Sequence, residues 1–199
     1  LAQALGVSIP TVSRALKDSP EISRELCAKA KALAKEMNYR PNPFAMSLRK
    51  NAPRIIGVIV PDIVTHFFAS ILNGIENMAI ANGYFVIITT SHESYEHEKR
   101  NIENLVNMRV EGIIACLSQE TTDFSHISAL KDINMPLILF DRVCLTDQFS
   151  SVIADGAQSA QIATQHLLNN GSKRVAFIGG ANHLDIVKRR KHGYLEALR

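Results

Sequence analysis

Two stretches of this sequence gather side chains that could do chemistry, and the first has the residue types of a metal site. HESYEHE, residues 92–98, holds two histidines and three glutamates. Paired histidines bind zinc when they lie four apart on a helix, but here they are five apart, so we interpret the stretch as the solvated start of a helix. The sequence has no P-loop, G-x-G-x-x-G or G-x-S-x-G motif. The residues therefore predict no enzyme, no metal and no cofactor.

The second stretch, ALGVSIPTVSRALK, has the pattern of two short helices joined by a turn. Gly6 suits the turn, and Ser8 is placed to cap a helix whose first turn tolerates Pro10. Ser23 is placed to cap a longer helix, in which apolar residues recur at helical spacing. Taken alone, this pattern fits an ordinary helical hairpin about as well as a helix-turn-helix that binds DNA. The apolar positions expected inside are Val7, Val12, Leu16, Leu26, Ala30, Leu33 and Met37.

If the motif binds DNA, its second helix lies in the major groove with its N-terminal side chains at base edges. That geometry assigns base-facing positions to Ile9, Pro10 and Arg14, and an arginine can pair bidentately with guanine. Short hydroxyl side chains suit phosphates, which position a protein on DNA without specifying the sequence. The expected phosphate contacts are Ser8, Thr11 and Ser13.

Charge is unevenly distributed along the chain, whose net charge is +3. Residues 1–54 hold ten basic and four acidic side chains, whereas residues 55–199 hold twelve basic and fifteen acidic ones. A basic N-terminal quarter on a mildly acidic body suggests an attached module that binds a polyanion. A merely solvated helical surface is the alternative that charge alone leaves open.

From residue 54 the apolar pattern changes to short, nearly continuous runs. These runs are RIIGVIV, YFVIITT, GIIACLS, PLILFDR and SVIADG. Such runs suit strands that are buried on both faces of a parallel sheet. Amphipathic segments separate them, over residues 67–82, 95–108, 123–133 and 158–169. This alternation predicts a doubly wound α/β domain, and KRVAFIGG predicts a sixth strand with a helix over residues 188–199.

In a sheet of this kind, ligands bind at the carboxyl ends of the strands. Phe67 and Phe68 follow the first strand and could stack on a sugar or another flat ligand. Asp141 and Arg142 end the fourth strand, where the carboxylate could accept hydrogen bonds from hydroxyl groups. The alternatives are that both phenylalanines belong to the core and that Asp141 forms a structural pair.

The sequence resembles a known family over essentially its whole length. The motif GVS..TVSR.L…YRPN..A.SLR is similar to the DNA-binding headpiece of the LacI/GalR repressors, and the similarity continues through RIIGVIVPDIVTHFFASILNGIE, MRVEGIIACLS, PLILFDR, HLLNNGSKRVAFIGG and RRKHGYLEAL. The resemblance implies a homodimer on a palindromic operator of double-stranded DNA. Each subunit would have a headpiece, a hinge helix and a two-lobed effector-binding core.

The resemblance also assigns roles within RPNPFAMSLRK. In the family a hinge helix enters the minor groove and its leucine wedges into a base step; here that residue is Leu48. Ala45 matches the small residue that lets the helix lie close, and Asn42 and Arg49 match groove and phosphate contacts. So short a helix is far below the roughly 12–15 residues needed for marginal stability in water, so we expect it to order only on a partner hinge and DNA. Packing of Leu48 on its own core is the alternative.

One further site residue follows from the resemblance, and three positions depart from it. Arg190 matches the family's effector-binding arginine, and a carboxylate with an arginine binds polar ligands well; the alternative is that Arg190 forms a structural pair. Met46 stands where the family often has arginine, His66 where it often has proline, and Asp155-Gly156 where Asp-Asn is usual.

We therefore expect an α/β chain with an N-terminal all-α helix-turn-helix headpiece plus hinge helix, then a doubly wound parallel sheet of periplasmic-binding-protein type with an incomplete second lobe. The expected boundaries are 1–40 for the headpiece, 41–53 for the hinge, 54–171 for the N-terminal lobe of the core and 172–199 for the start of its C-terminal lobe. Because the chain starts at Leu1 and a strand and a helix make no domain, we expect it to be truncated at both ends.

The expected function is transcriptional regulation, as a repressor whose operator affinity is controlled by a small effector such as a sugar. A sugar receptor of the same core fold without DNA function is the runner-up, although it leaves the first 50 residues unexplained. No stretch of 18 or more apolar residues is present, so the sequence predicts no membrane partner. Cys27, Cys116 and Cys144 are widely spaced and are most simply interpreted as reduced thiols of a cytosolic protein.

Overall fold

The computed structural model describes residues 1–39 and 54–199. The chain separates into two compact units, Leu1–Asn51 and Ala52–Arg199. We call their described parts the helical unit, residues 1–39, and the sheet unit, residues 54–199. The expected hinge residues Asn42, Ala45, Leu48 and Arg49, and the departure at Met46, lie outside the described residues.

Two helices form the helical unit, and both begin at the expected serines. Helix α1 spans Ile9–Ala15, and the hydroxyl of Ser8 accepts a hydrogen bond from the backbone N–H of Thr11 at 3.3 Å. Helix α2 spans Arg24–Glu36 and is capped in the same way by Ser23. The predicted N-caps are therefore confirmed, because each hydroxyl satisfies an N–H that has no partner inside its helix.

The helix expected over LAQAL is only a single turn in the structure. Leu5 donates its backbone N–H to the carbonyl of Leu1 at 3.0 Å, and Val7 donates to Ala2. Gly6 lies between them with a φ of 63°, which an L side chain would disfavour. The prediction of a turn at Gly6 is confirmed, whereas five residues can close only one helical hydrogen bond and no regular helix forms.

The core of the helical unit is built from small side chains. Ala15 of α1 packs with Cys27 and Ala30 of α2, which are buried. The expected stripe along α2 is wrong at Met37, which is 56% exposed. Helix α2 instead buries Ala34, because small residues on one helix face allow the two backbones to approach closely.

The sheet unit contains one five-stranded sheet in the order β2-β1-β3-β4-β5, and every pair of neighbours is parallel. Its strands are β1 Ile55–Val60, β2 Phe85–Thr90, β3 Gly112–Ala115, β4 Leu137–Phe140 and β5 Ser150–Val152. Its helices are α3 His66–Ala81, α4 Tyr95–Asn107, α5 Ser125–Asp132, α6 Gly156–Asn169 and α7 Asp185–Ala197. The predicted doubly wound parallel sheet is confirmed, since parallel neighbours need a crossover between them.

Strand β1 is buried on both faces, as its apolar run predicted. Alternate residues of β1 enter two clusters, with Ile59 in one and Val58 in the other, as the pleat of a strand requires. The edge strands are more exposed than their apolar runs predicted; Phe85 of β2 and Val152 of β5 are both exposed. The prediction is wrong there because an edge strand has a neighbour on one side only.

The predicted sixth strand is absent: KRVAFIGG has no regular secondary structure, and Ile178 is 96% exposed. Within the described residues no strand lies beside it to complete its hydrogen bonds, and a lone strand is not stable in water. Helix α7 follows and packs on α6 so closely that Gly193 is buried. A Cβ there would lie 1.9 Å from the carbonyl oxygen of Ala157. Among the described helices, none is long and apolar enough to cross a bilayer.

Candidate DNA-binding and effector sites

Helix α1 presents the expected DNA-facing residues at the surface of the helical unit. Ser8, Ile9, Pro10 and Arg14 are exposed, with Ile9 at 75%, and Thr11 and Ser13 are partly exposed. Exposure of a large apolar side chain beside hydroxyls suits a base edge better than water. The opposite face of α1 carries Val12 and Ala15, which are buried.

Arg14 forms an ion pair that the sequence did not reveal. Its Nη1 lies 2.9 Å from Oε2 of Glu21 in the loop before α2, and both side chains are more than half exposed. Other ion pairs of the helical unit are also exposed, such as Lys31 with Asp18 and Lys29 with Glu25. The helical unit therefore keeps its charged groups where a partner could reach them.

The two phenylalanines after β1 have different environments. Phe67 is half exposed, whereas Phe68 is only 7% exposed and meets the ring of Phe140 edge to face, with centroids 6.4 Å apart. The expected stacking role is therefore corrected for Phe68, whose ring is covered by the core. Phe67 keeps an accessible ring at the carboxyl end of β1, where a ligand could contact it.

Asp141 and Arg190 lie within electrostatic reach of each other at the carboxyl end of β4. Burial raises the pKa of Asp141, and the positive charges of Arg142 and Arg190 oppose that rise. Asp141 has a φ of 58°, and its N–H donates to the carbonyl of Val152 at 3.1 Å. Gly156 makes room nearby, because a Cβ there would lie 3.3 Å from Cγ of Arg190.

Arg142 is already paired with a carboxylate that lies 49 positions earlier in the chain. Its Nη1 and Nη2 donate to the two oxygens of Glu93, at 2.5 and 2.9 Å, and Nη1 also donates to the carbonyl of Leu117. Burial acts to raise the pKa of Glu93, whereas hydrogen bonds from Arg142 and the backbone N–H of Gln119 act to lower it. The lowering effects together outweigh burial, so the pKa of Glu93 lies below its ordinary value. The structure thus gives Arg142 a bidentate partner within its own unit.

The interpretation of HESYEHE as a solvated helix start is wrong at Glu98, which has no exposed surface. Its carboxylate accepts hydrogen bonds from the N–H of Ser118 and the hydroxyl of Thr121, and it lies 2.9 Å from Nε2 of His126. Nδ1 of His126 is buried and finds no hydrogen-bond partner among the described residues. Helical periodicity was the available signal, since Glu98 shares a face of α4 with the buried Ile102.

A cavity of about 370 Å³ lies against these buried groups. The loops after β3 and β4 and the start of α7 line it, and its lining includes Ser118, Thr121, Arg142 and Lys188. His183 spans two of these segments, because its Nε2 donates to the carbonyl of Gln119 at 2.7 Å. Of the expected effector residues, only Arg142 lines this cavity; Phe67, Phe68, Asp141 and Arg190 do not.

The cysteines near the cavity have unreactive thiols. The thiols of Cys116 and Cys144 are buried, and burial raises the pKa of each to about 12. Within residues 1–39 and 54–199, no three His, Cys, Asp or Glu side chains are grouped so that they could hold a metal ion.

Two family models match the chain. Residues 1–42 match that of the bacterial regulatory proteins of the lacI family. Residues 54–199 match that of the periplasmic binding proteins and sugar-binding domain of the LacI family. The second match alone covers more than half of the chain.

Individual relatives agree with these matches. The chain is 32% identical over 203 residues to catabolite control protein A of Priestia megaterium, and 32% identical over 199 residues to the ribose operon repressor of Bacillus subtilis (strain 168). Each alignment covers 100% of this chain and 59% of the relative. The solved lac repressor dimer bound to operator and the anti-inducer ONPF superposes with a TM-score of 0.78 at 26% identity, over 99% of this chain and 59% of that one. The chain thus spans about three fifths of the length of the relatives it matches.

Proposed function

The chain belongs to the LacI family of bacterial regulatory proteins, and from that premise we propose that it acts as a sequence-specific transcriptional repressor controlled by a small effector. The single observation that carries the proposal is the exposed face of α1, where Ile9 and Arg14 stand beside the hydroxyls of Ser8 and Thr11. An apolar side chain, a guanidinium and short hydroxyls on one helix face are the groups that contact bases and phosphates in DNA. A helix that enters the major groove can bring such groups to base edges.

We propose that each of four segments of the chain has its own role. Residues 1–40 bind the major groove, and residues 41–53 are a hinge whose Leu48 enters the minor groove. Residues 54–171 form the N-terminal lobe of an effector-binding core, and residues 172–199 begin its C-terminal lobe. The ribose operon repressor and the lac repressor among the relatives support a sugar-like effector.

A homodimer is part of this proposal, because a dimer with two-fold symmetry reads a palindromic operator. The sheet unit offers an apolar groove for such a contact along α3, lined by Ile71, Ile75 and Met78. Met78 is itself exposed, as is the neighbouring Ile80. Sedimentation should show a dimer that Met78→Asp converts to monomer; a wild-type chain that stays monomeric at every concentration would contradict this part.

Control by the effector would act at the carboxyl edge of the sheet. Phe67, Asp141 and Arg190 offer an aromatic face, a carboxylate and a guanidinium, which suit the hydroxyl groups and ring of a sugar. Binding there alters how the two lobes close and thereby the spacing of the paired hinges on DNA. Arg190→Ala should abolish the effector response and leave effector-free DNA affinity unchanged; an effector affinity that stays at the wild-type value would contradict this role.

The DNA-binding proposal is tested by comparing an expected base contact, Arg14, with an exposed positive charge just after α1, Lys17, that is not expected at a base. Duplexes selected from a random library provide a preferred sequence, and dissociation constants are then measured for it and for random duplex at fixed salt. Arg14→Ala should lose about 1–3 kcal/mol of discrimination at one position. Lys17→Ala removes the same charge from the same stretch and should weaken all duplexes alike.

The runner-up, a sugar receptor without DNA function, predicts a different result in the same titrations. It expects weak affinity for any duplex and little dependence on salt, whereas a regulator that releases counterions shows a steep salt slope. A flat slope together with no selected sequence would favour the receptor.

A further inference from the structure

The ion pair between Arg14 and Glu21 joins the end of α1 to a loop that is itself held in place. Asp18, just after α1, has a φ of 54°, and Ser19 donates its N–H back to the carbonyl of Arg14 at 3.1 Å. Ile22 donates to the carbonyl of Ser19 and packs against the core of the helical unit. Glu21 therefore occupies a defined place beside α1.

Stability does not account for this pair. The two side chains are 57% and 65% exposed, and exposed ion pairs contribute little because water and salt screen them. An arginine side chain, however, loses considerable rotamer freedom when it is fixed to a ligand. A carboxylate that holds the guanidinium before binding removes part of that loss from the binding step.

The geometry of the guanidinium leaves it able to bind a base at the same time. The closest contact to Glu21 is made through Nη1. A guanidinium has two edges that can donate two parallel hydrogen bonds, and the edge formed by Nε and Nη2 lies away from Nη1. That edge matches O6 and N7 of guanine.

The negative charge of Glu21 also repels the phosphates of DNA that binds to α1. A carboxylate beside the duplex repels phosphate oxygens, so it penalises positions in which Arg14 would merely pair with the backbone. Phosphate pairing is the contact that carries no sequence information. Glu21 would thus lower affinity for random DNA while favouring the contact that reads a base.

We propose that Glu21 is a positioning residue that holds Arg14 for guanine recognition and raises the ratio of specific to non-specific DNA binding. The inference rests on the proposed function, since it requires α1 to bind DNA. Glu21→Gln should tighten binding to random duplex and reduce discrimination at the guanine read by Arg14. The expected loss of discrimination is roughly two- to five-fold, the range that an exposed ion pair provides.

The experiment is a double-mutant cycle with the full chain on the selected duplex, on the same duplex with the critical guanine replaced, and on random duplex. The variants are Arg14→Ala, Glu21→Gln and both together, at one salt concentration. In the Arg14→Ala background, Glu21→Gln should no longer change discrimination. Circular dichroism checks that each variant keeps its helix content.

Glu25→Gln is the matched control, because it removes the same charge from the helical unit and Glu25 pairs with Lys29 instead. It should change affinity for all three duplexes by one common factor. If Glu21→Gln also does no more than that, Glu21 acts only through overall charge and the inference is overturned. If the wild-type chain selects no sequence from the library, the proposed function fails, and the inference fails with it.

Discussion

The described ion pairs of the helical unit are all exposed, whereas the sheet unit combines exposed pairs with a buried one. In the helical unit the pairs of Arg14 with Glu21 and of Lys31 with Asp18 have side chains that are 49–65% exposed. In the sheet unit Glu98 meets His126 with both side chains almost completely buried. Arg142 and Glu93 form an intermediate case at the edge of a cavity.

This contrast separates charges that can change partner from charges that hold a structure. An exposed pair is worth between nothing and about 1 kcal/mol, so a phosphate can replace one of its members at little cost. A buried carboxylate that loses its partners is left without water, and the structure around it must change. We expect the exposed charges of the helical unit to matter for binding and the buried charges of the sheet unit to matter for folding.

The largest effect is expected at Glu98. Glu98→Ala removes the acceptor for the N–H of Ser118 and the hydroxyl of Thr121 and leaves His126 without its carboxylate. The free energy of unfolding should fall by about 3–5 kcal/mol, measured by urea denaturation with circular dichroism. Glu96→Ala, at an exposed position on the same helix, should change it by less than about 0.5 kcal/mol. A similar small change for both would show that burial does not distinguish these carboxylates.

The next effect tests whether α6 and α7 of the sheet unit are in close contact at Gly193. Gly193→Ala places a methyl group 1.9 Å from the backbone oxygen of Ala157, so α6 and α7 must separate, at a cost of about 1–3 kcal/mol. Gly74→Ala adds the same group to α3, where no atom lies within 4 Å. It should raise the free energy of unfolding by about 0.5–1 kcal/mol. A gain for both variants would mean that α6 and α7 are not in close contact.

A smaller effect separates folding from binding within the helical unit. Ser8→Ala and Ser23→Ala each remove a hydroxyl that caps a helix through a contact of 3.3 Å. Each should lower stability by about 1 kcal/mol. Only Ser8 is also an expected phosphate contact, so only Ser8→Ala should weaken DNA binding beyond its effect on folding. Equal losses of DNA affinity in titrations of the two variants would argue against a phosphate contact at Ser8.

The smallest effect is expected at an exposed pair. Asp18→Asn removes the partner of Lys31 and keeps a residue that tolerates the left-handed backbone at this position. The free energy of unfolding should change by roughly 0.2–1 kcal/mol, and added salt should reduce the difference. A loss well above 1 kcal/mol that salt does not diminish would place this pair with the buried ones and break the contrast.

Local signals in the sequence were sufficient for much of the fold. Ser8 and Ser23 could be identified as caps because an N-cap depends on residues within one turn. The alternation of apolar runs and amphipathic segments predicted the parallel sheet, because each crossover follows from the chain order. The edge positions of β2 and β5 could not be found this way, since strand order is a tertiary property. The same holds for KRVAFIGG, whose apolar run has no described strand beside it.

The candidate sites were less predictable, because their partners come from distant segments. The hydrogen-bond partners of Glu98 lie 20 or more positions away in the sequence, and Arg142 pairs with Glu93 across 49 positions. Phe68 differs from Phe67 only in which face of α3 it occupies. Composition could suggest these side chains as ligands, but it could not tell which of them the fold had already paired.

Nδ1 of His126, which is buried and has no hydrogen-bond partner among the described residues, can serve as a spectroscopic reporter. The imidazole lies against Glu98 and Tyr95, and the same carboxylate holds the loop of Ser118 and Thr121 that lines the cavity. With histidine labelled in nitrogen-15, a buried Nδ1 that accepts no hydrogen bond should resonate apart from the nitrogens of the other six histidines. A compound that enters the cavity and moves that loop should change the chemical shift of His126 Nδ1. The measurement requires neither a labelled compound nor DNA.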